Sequence, residues 1–199
     1  MIPPQMNIAS ILGSIGIVIG LIRAVPQLIK LLSAREAHGV SVDTAATSSI
    51  VSCGWAVYGI LTDQPYLSFA SGSTSLIFAM ITFFALRFGR NAREFKVAPI
   101  WLGVLILAGT FFGKSGLGIL LPISMLAANI PQIWIAHKEG NLADLSLGTW
   151  ALSITEGLVW ITYSFIQLDI SIRVSASFQL ITSVIIVVQK LGHKTKNNE

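Results

Sequence analysis

The chain has 199 residues, of which 53% are apolar and 11% are charged. Because about a quarter of the residues in soluble domains are charged, this composition indicates a membrane protein and argues against a soluble one. The formal net charge of +4 does not indicate a nucleic-acid partner, since no basic patch interleaved with aromatic residues accompanies it.

Seven apolar segments are long enough to cross the hydrocarbon core of a bilayer, which takes about 20 residues of helix. In chain order, the predicted spans are residues 7–32, 42–62, 66–87, 97–113, 117–137, 147–166 and 170–190. No basic residue precedes the first apolar run and no small-residue cleavage site follows it, so we expect a retained span rather than a signal peptide.

Basic residues indicate how these spans are oriented. Ten Lys and Arg residues border the first, third and fifth connections or the C-terminus, whereas the opposite side has only Lys114 and Arg173. By the positive-inside rule, we expect a multi-pass protein of the cell membrane with its N-terminus outside and its C-terminus cytoplasmic.

The sequence contains an internal repeat. The pair Pro26-Gln27 recurs as Pro131-Gln132, an offset of 105 residues, and the same offset without a gap pairs Trp55 with Trp160 and Tyr58 with Tyr163. Each copy has three spans, so span 4 is needed to give both copies the same orientation. The predicted domains are a first repeat at 7–87, a basic loop and linker helix at 88–116, a second repeat at 117–190 and a cytoplasmic tail at 191–199.

Two motifs, IRAVPQLIKLLSAREAHGVS and AANIPQIWIAHKEGNLADLS, each lie at the end of their repeat's first helix. They resemble the PQ-loop superfamily, which includes SWEET and SemiSWEET sugar carriers and lysosomal amino-acid exporters. The resemblance covers residues 7–190. It implies an all-α membrane protein with seven transmembrane helices in a 3+1+3 arrangement, built as two parallel triple-helix bundles. It also implies a transporter that moves a small polar solute, a sugar or an amino acid.

The prolines predict bends inside the first and fifth spans. Proline cannot donate a hydrogen bond to the carbonyl four residues earlier, and its ring clashes with that carbonyl, so we expect bends at Pro26 and Pro131. A freed carbonyl inside a bilayer must be satisfied by protein or by cavity water, so we expect both bends to face the bundle interior, where Gln27 and Gln132 can supply amide donors. We interpret the prolines as paired hinges of a cytoplasmic gate that provides alternating access. The alternative is that they only shape packing, since proline is common in membrane helices.

Two ionisable residues lie inside spans, where each needs a partner or a wet cavity. Arg23 and Glu156 both lie about 14 Å from the predicted cytoplasmic surface, at a rise of 1.5 Å per residue. Equal depth permits a salt bridge between them, or Glu156 can act as a proton-coupling carboxylate. The alternatives are that Arg23 snorkels to the headgroups and that Glu156 satisfies a local donor. Asp43, at the start of span 2, is expected to be an N-terminal helix charge, with proton coupling as the alternative.

Polar and aromatic stripes on spans 2 and 6 predict where the solute binds, because their members recur at three- and four-residue spacing. The expected substrate-binding residues are Trp55, Trp160, Asn129, Ser71, Thr74, Gln179, Tyr58 and Tyr163. In SWEET-like relatives matching tryptophans flank the solute, which implies that role for Trp55 and Trp160. Sugar-carrying relatives usually have an asparagine early in the third helix of each repeat, and this sequence has none there, so the solute stays open.

Two other functions stay open: a proton-coupled amino-acid exporter that uses Glu156, and a non-transporting membrane receptor or scaffold. We expect no enzyme and no cofactor, because the sequence has no Gly-rich phosphate loop. We also expect no metal site, because His38, His137 and His193 lack spaced Cys or carboxylate companions. The expected partners are a small polar solute and the lipid bilayer, and a homo-oligomer is left open.

Overall fold

The protein is all-helical in the part of the chain that the structure describes. The computed structural model describes residues 7–37, 40–139 and 147–196, with side chains except at 125–139, 147, 149 and 189–196. The α-helices are α1 (Ile8–Ala34), α2 (Val42–Leu61), α3 (Pro65–Arg87), α4 (Ala98–Glu139), α5 (Leu147–Ile166) and α6 (Ile170–Lys196), with a short 3₁₀ helix at Ala92–Glu94. The predicted all-α class is confirmed.

Several helices are suited to a bilayer. Five described segments are long and apolar enough to cross a membrane: Ile8–Ala34, Val42–Leu61, Pro65–Arg87, Ala98–Ser124 and Ile170–Val188. Large apolar side chains such as Phe111 and Phe112 are exposed on the protein surface, as expected for residues that face lipid rather than water. The chain is therefore a multi-pass membrane protein.

Helix α4 consists of two limbs that meet at Gly113. The backbone there has φ 56° and ψ −137°, a conformation that glycine adopts without the steric penalty of a side chain. A Cβ built on Gly116 would lie 2.6 Å from the carbonyl oxygen of Ala108, whereas residues eight apart in a straight helix are separated by about 12 Å. The break divides α4 into the limbs 98–112 and 114–139, and the chain folds back on itself directly around Gly113.

The break falls at the last residue of the predicted span 97–113, before the predicted span 117–137 begins. The other helices also follow the predictions closely, and α2, α3 and α5 begin and end within one residue of the predicted spans. Helix α6 continues to Lys196, past the predicted end at residue 190. The 3+1+3 arrangement of seven spans and the domain boundaries stay predictions.

The contacts divide the chain into two compact units: unit A (Gly13–Leu121) and unit B (Met1–Leu12 with Pro122–Glu199). In unit A, α2 and α3 pack closely because Gly59 has no side chain. A Cβ at that position would lie 2.5 Å from the Ser68 hydroxyl oxygen and 2.8 Å from the Ser68 backbone nitrogen. Small residues allow such close approach in membrane helices.

The other helices of unit A also meet at glycines. A Cβ added at Gly13 of α1 would overlap the side chain of Tyr66 on α3. On α2, a Cβ at Gly54 would lie 3.3 Å from Leu105 and 2.8 Å from Leu121. These two leucines belong to different limbs of α4, so both limbs reach α2 at one point, as the reversal at Gly113 requires.

Unit B is built around the pair of α5 and α6. A Cβ added at Gly157 of α5 would lie 3.2 Å from the Cβ of Leu180 on α6. Helix α6 begins at a capping carboxylate, because Asp169 accepts a hydrogen bond of 3.0 Å from the N–H of Ile172. The sequence LDI at 168–170, an Asp immediately before an apolar run, is the local signal for such a cap.

The α2–α3 and α5–α6 connections share one backbone geometry at the sequence offset of 105. Asp63 has φ 55° and Leu168 has φ 53°, which places both in the left-handed region. The next residue donates its N–H to the carbonyl five residues earlier, over 2.8 Å at Gln64 and 3.0 Å at Asp169. The internal repeat seen in the sequence therefore reappears in the backbone hydrogen bonds.

Candidate functional site

Each unit contains a Trp–Tyr pair in the register of the repeat. The ring centroids of Trp55 and Tyr58 are 5.6 Å apart with the planes at 88°, and those of Trp160 and Tyr163 are 5.3 Å apart at 79°. Such edge-to-face contact favours a fixed ring orientation. Both tyrosines are buried, and Tyr163 completely so, whereas both tryptophans are half-buried. Each tryptophan therefore keeps part of its surface exposed, while the contact with its tyrosine favours one orientation of its ring.

A polar pair joins α5 and α6 in unit B. The Gln179 side-chain nitrogen donates a hydrogen bond of 2.8 Å to Glu156 Oε2 and a longer one of 3.4 Å to the backbone carbonyl of Ser153. Both side chains are half-buried. From the sequence, Glu156 was predicted to act in coupling and Gln179 in substrate binding. No local pattern indicated that the two side chains contact each other, since they lie on different helices.

In unit A, the corresponding contact between α2 and α3 is made by uncharged side chains. The hydroxyls of Ser49 and Ser75 each donate to the other's backbone carbonyl, over 2.9 Å and 2.8 Å. The hydroxyl of Thr74 donates to the carbonyl of Ala70 in its own helix at 2.9 Å, and Ser71 is half-buried. Because the Thr74 hydrogen is engaged within α3, this side chain can offer a solute only an acceptor lone pair.

Pro26 and Gln27 are exposed inside a continuous α1. The turns that follow them are firmly packed, because Leu28 is 8% exposed and Leu31 is 2% exposed. These two leucines belong to a hydrophobic cluster that also contains Ala37, Val42, Ala45, Ile81 and Ala85. The end of α1 after Pro26 therefore packs against the start of α2 and the end of α3.

Asp43 caps a helix other than its own. The N-cap of α2 is Ser41, whose hydroxyl accepts the N–H of Thr44 at 3.2 Å. The carboxylate of Asp43 instead accepts three successive backbone N–H groups at the start of α4, from Lys96, Val97 and Ala98, over 2.9–3.0 Å. Asp43 does lie in the first turn of α2, as expected for an N-terminal helix charge, and its carboxylate also caps α4. No sequence pattern indicates a contact across more than fifty residues.

Some predicted site residues cannot be placed by their side chains. Asn129, Pro131 and Gln132 lie in the helical backbone of α4, but their side chains lie outside the described ones. Arg23 is exposed on α1 and belongs to unit A, whereas Glu156 belongs to unit B, so their ion pair stays a prediction. Among the described residues, no group of three His, Cys, Asp or Glu could hold a metal ion.

The helices, their length and the polar groups inside them define a multi-pass helical membrane protein with an internal repeat. Residues 8–68 match the family model of the PQ loop repeat. The fold is similar to that of a eukaryotic SWEET transporter solved at 3.7 Å, with a TM-score of 0.73 and 10% sequence identity, covering 95% of this chain and 100% of that one. A search of curated proteins finds no match. The predicted resemblance to the PQ-loop superfamily with a SWEET-like fold is therefore confirmed.

Proposed function

We propose that this protein is a membrane transporter that moves a small polar solute, a sugar or an amino acid, by alternating access. The observation that carries the proposal is the SWEET-like fold over 95% of the chain, together with the PQ loop repeat in residues 8–68. We place it in the cell membrane with the N-terminus outside and the C-terminus cytoplasmic, because the basic residues favour that orientation. Seven spans in a 3+1+3 arrangement are part of this proposal.

In this proposal the solute contacts the half-buried faces of Trp55 and Trp160. Two observations support it: each tryptophan retains free surface, and each is held by a buried tyrosine at a fixed angle. A rigid aromatic face provides contact area for the apolar side of a sugar or amino acid at little cost in side-chain entropy. Tyr58 and Tyr163 then position the tryptophans, and Ser71, Thr74, Asn129 and Gln179 supply the polar contacts.

Pro26 and Pro131 act as hinges, with Gln27 and Gln132 beside them. The packing of Leu28 and Leu31 limits which part of the protein can move about Pro26. If the last turns of α1 swung alone, both leucines would leave their cluster, which costs on the order of 2 kcal/mol for each side chain that becomes exposed to water. The part that moves about Pro26 is therefore the whole cluster-bearing end of α1, α2 and α3.

A flux assay in proteoliposomes tests this function. Purified protein should exchange a labelled hexose or amino acid faster than empty vesicles do, and Trp55→Ala or Trp160→Ala should lower the rate at least tenfold. Phe112→Ala is the matched control, because that aromatic ring is 72% exposed on α4 and should leave flux unchanged. Flux that survives loss of both tryptophans would refute the assignment of the site.

The hinge is tested by the double variant Pro26→Ala and Pro131→Ala in the same vesicles. We expect slower flux with retained solute binding, because the variant restores the helical hydrogen bonds and stiffens both helices. Unchanged flux would leave the prolines with a packing role only. Absence of flux for the wild-type protein with every solute would favour a receptor or scaffold on this fold.

A proton-coupled amino-acid exporter that uses Glu156 is the second candidate. The observation that favours it is a carboxylate inside α5 that is joined to a polar partner on α6, since ionisable groups inside spans are costly and usually mark a functional site. Proton coupling predicts that an imposed pH gradient drives uptake in the wild-type protein and not in Glu156→Gln. Equal gradient-driven uptake by both proteins would exclude this candidate.

A further inference from the structure

The loop between α3 and α4 (residues 88–97, the α3–α4 loop) is short and basic. Together with Arg87, the last residue of α3, it contains four basic side chains and one acidic side chain. These residues are Arg87, Arg90, Arg93, Lys96 and Glu94. Both flanking segments, Pro65–Arg87 and Ala98–Ser124, are long and apolar enough to cross a membrane. A connection this short therefore keeps the charges near the lipid headgroups.

Hydrogen bonds and apolar contacts fix the path of this loop. The side-chain oxygen of Asn91 accepts the N–H of Arg93 at 2.9 Å, and the Asn91 N–H donates to Glu94 Oε1 at 2.9 Å. Phe88 and Phe95 pack against the hydrophobic cluster formed by the end of α1, the start of α2 and the end of α3. The loop therefore presents its charged side chains from an ordered backbone.

The one acidic side chain of the loop is already engaged. The carboxylate of Glu94 accepts a backbone N–H within the loop and forms an ion pair with Arg90. Arg87 and Arg93 are exposed, and neither makes an ion pair with a carboxylate in the part of the chain that the structure describes. Each guanidinium group carries five N–H donors. Two positively charged groups are thus available to an anion at the surface of unit A.

Apolar surface begins directly beside these charges. Phe83 lies one turn before Arg87 on α3, and Val97 and Ile100 lie at the start of α4; all three apolar side chains are exposed. Exposed apolar side chains on membrane helices face hydrocarbon. Arg87 and Arg93 therefore lie where hydrocarbon gives way to headgroups. An acidic protein or a nucleic acid would have to displace headgroups to reach them, whereas a lipid phosphate is at that level already.

We propose that the α3–α4 loop, with Arg87, binds the phosphate group of an anionic phospholipid. Arginine matches phosphate through paired N–H donors, and clusters of basic residues next to a membrane helix bind anionic lipids. Lys96 contributes less, because the Asp43 carboxylate that accepts its backbone N–H lies beside it. The positive-inside rule explains why the loop is basic, but it does not require an ordered loop with two exposed guanidinium groups. The inference does not depend on the transport function.

Lipid binding is tested with the purified full-length protein in detergent, where no leaflets exist and the orientation of the chain has no effect. A phosphatidylglycerol with a dansyl label on its acyl chain reports binding by energy transfer from the tryptophans of the protein. Unlabelled dioleoyl-phosphatidylglycerol and dioleoyl-phosphatidylcholine compete with it. We expect the anionic lipid to compete about tenfold better at low salt, and this difference should shrink in about 0.5 M sodium chloride.

Variants change the charge of the loop in both directions. Arg93→Gln should weaken binding of the labelled lipid about fivefold, and Arg87→Gln combined with Arg93→Gln about 25-fold, because each basic residue near an anionic surface contributes about fivefold in affinity. Glu94→Gln should strengthen binding about fivefold, since it frees Arg90 while its amide oxygen can still accept the loop N–H. Lys114→Gln is the matched control, because it removes an exposed cation at the far end of the limb 98–112.

Opposite changes in the two kinds of variant would support the lipid site, because misfolding does not raise an affinity. Equal competition by the two unlabelled lipids, or equal binding by the wild type and the double arginine variant, would leave the charges with a role in orientation only. A loss in Lys114→Gln as large as in Arg93→Gln would also overturn the inference, since any exposed cation would then suffice. Inorganic phosphate that displaces the labelled lipid better than sodium chloride at equal ionic strength would show that the loop takes a free anion instead of a lipid.

Discussion

Replacement of Asp43 by alanine should loosen the start of α4. One carboxylate accepts the N–H groups of three successive residues there, Lys96, Val97 and Ala98, and these are donors that no helical carbonyl can satisfy. Loss of an N-cap acceptor costs about 0.5–2 kcal/mol. Hydrogen bonds to a charged group are worth roughly 1.5–3 kcal/mol when shielded. Because Asp43 is only half-buried and Lys96 and Val97 are exposed, we expect a loss of about 2 kcal/mol.

Two measurements follow from that loss. For a chain of this size, about 2 kcal/mol lowers the melting temperature by roughly 4–8 °C, which thermal size-exclusion chromatography in detergent can resolve. Amide hydrogen exchange gives the local answer, because residues 96–98 should exchange about 30-fold faster in the variant. Exchange in α5 and α6 should stay unchanged.

Two substitutions at Asp43 separate the loss of its charge from the loss of its acceptor atoms. Three of the four hydrogen bonds reach Oδ1 and one reaches Oδ2. Asp43→Asn can therefore keep an acceptor at Oδ1 while losing the charge, and it should lose about half as much stability as Asp43→Ala. Asp63→Asn, in an exposed turn, should match the wild type. Equal melting temperatures for Asp43→Ala and the wild type, with unchanged exchange at residues 96–98, would show that the cap does not stabilise α4.

Two glycine substitutions test the packing and the chain reversal, each against a control. Gly59→Ala should destabilise unit A by about 1–3 kcal/mol, because the new Cβ would lie 2.5 Å from the Ser68 hydroxyl. Gly72→Ala, whose nearest neighbour would be 3.8 Å away, should be neutral or slightly stabilising; equal melting curves for the two variants would contradict the packing. Gly113→Ala meets no atom within 4 Å but has φ 56°, so it should cost about 1–3 kcal/mol through backbone strain alone. Gly103→Ala also meets no atom within 4 Å and has no positive φ; if both melt alike, the limbs do not reverse there.

Helix positions could be predicted from the sequence because the bilayer imposes them. Apolar runs must reach the length of the hydrocarbon core, so the predicted spans 42–62 and 147–166 coincide with α2 and α5 within one residue. Hydropathy marks where a helix leaves hydrocarbon and not where its hydrogen bonds stop. This explains why α6 continues to Lys196 although its apolar pattern ends near residue 190.

The repeat register allowed candidate site residues to be proposed from the sequence. It did not allow the hydrogen bonds between different helices to be predicted. Trp55 and Trp160 could be proposed as candidates because the internal copy supplies a second instance of the same position. The Asp43 bonds to α4 and the Glu156–Gln179 pair depend on which helix faces are adjacent. Composition and periodicity along one helix do not specify that. The repeat gives no help at these residues, since neither pair has a chemical counterpart in the other copy.

That difference between the copies bears on why Glu156 is present. The parts that the two repeats share are mechanical: a left-handed residue at the turn and a tryptophan held edge-to-face by a tyrosine. The two repeats differ in the contact between their second and third helices. Ser49 and Ser75 join α2 to α3 without any charge, whereas Glu156 and Gln179 join α5 to α6. The same helix pair can thus be joined by neutral side chains. A carboxylate inside a span is costly, and the α2–α3 contact does without one, so the need to join two helices does not by itself explain why Glu156 is present.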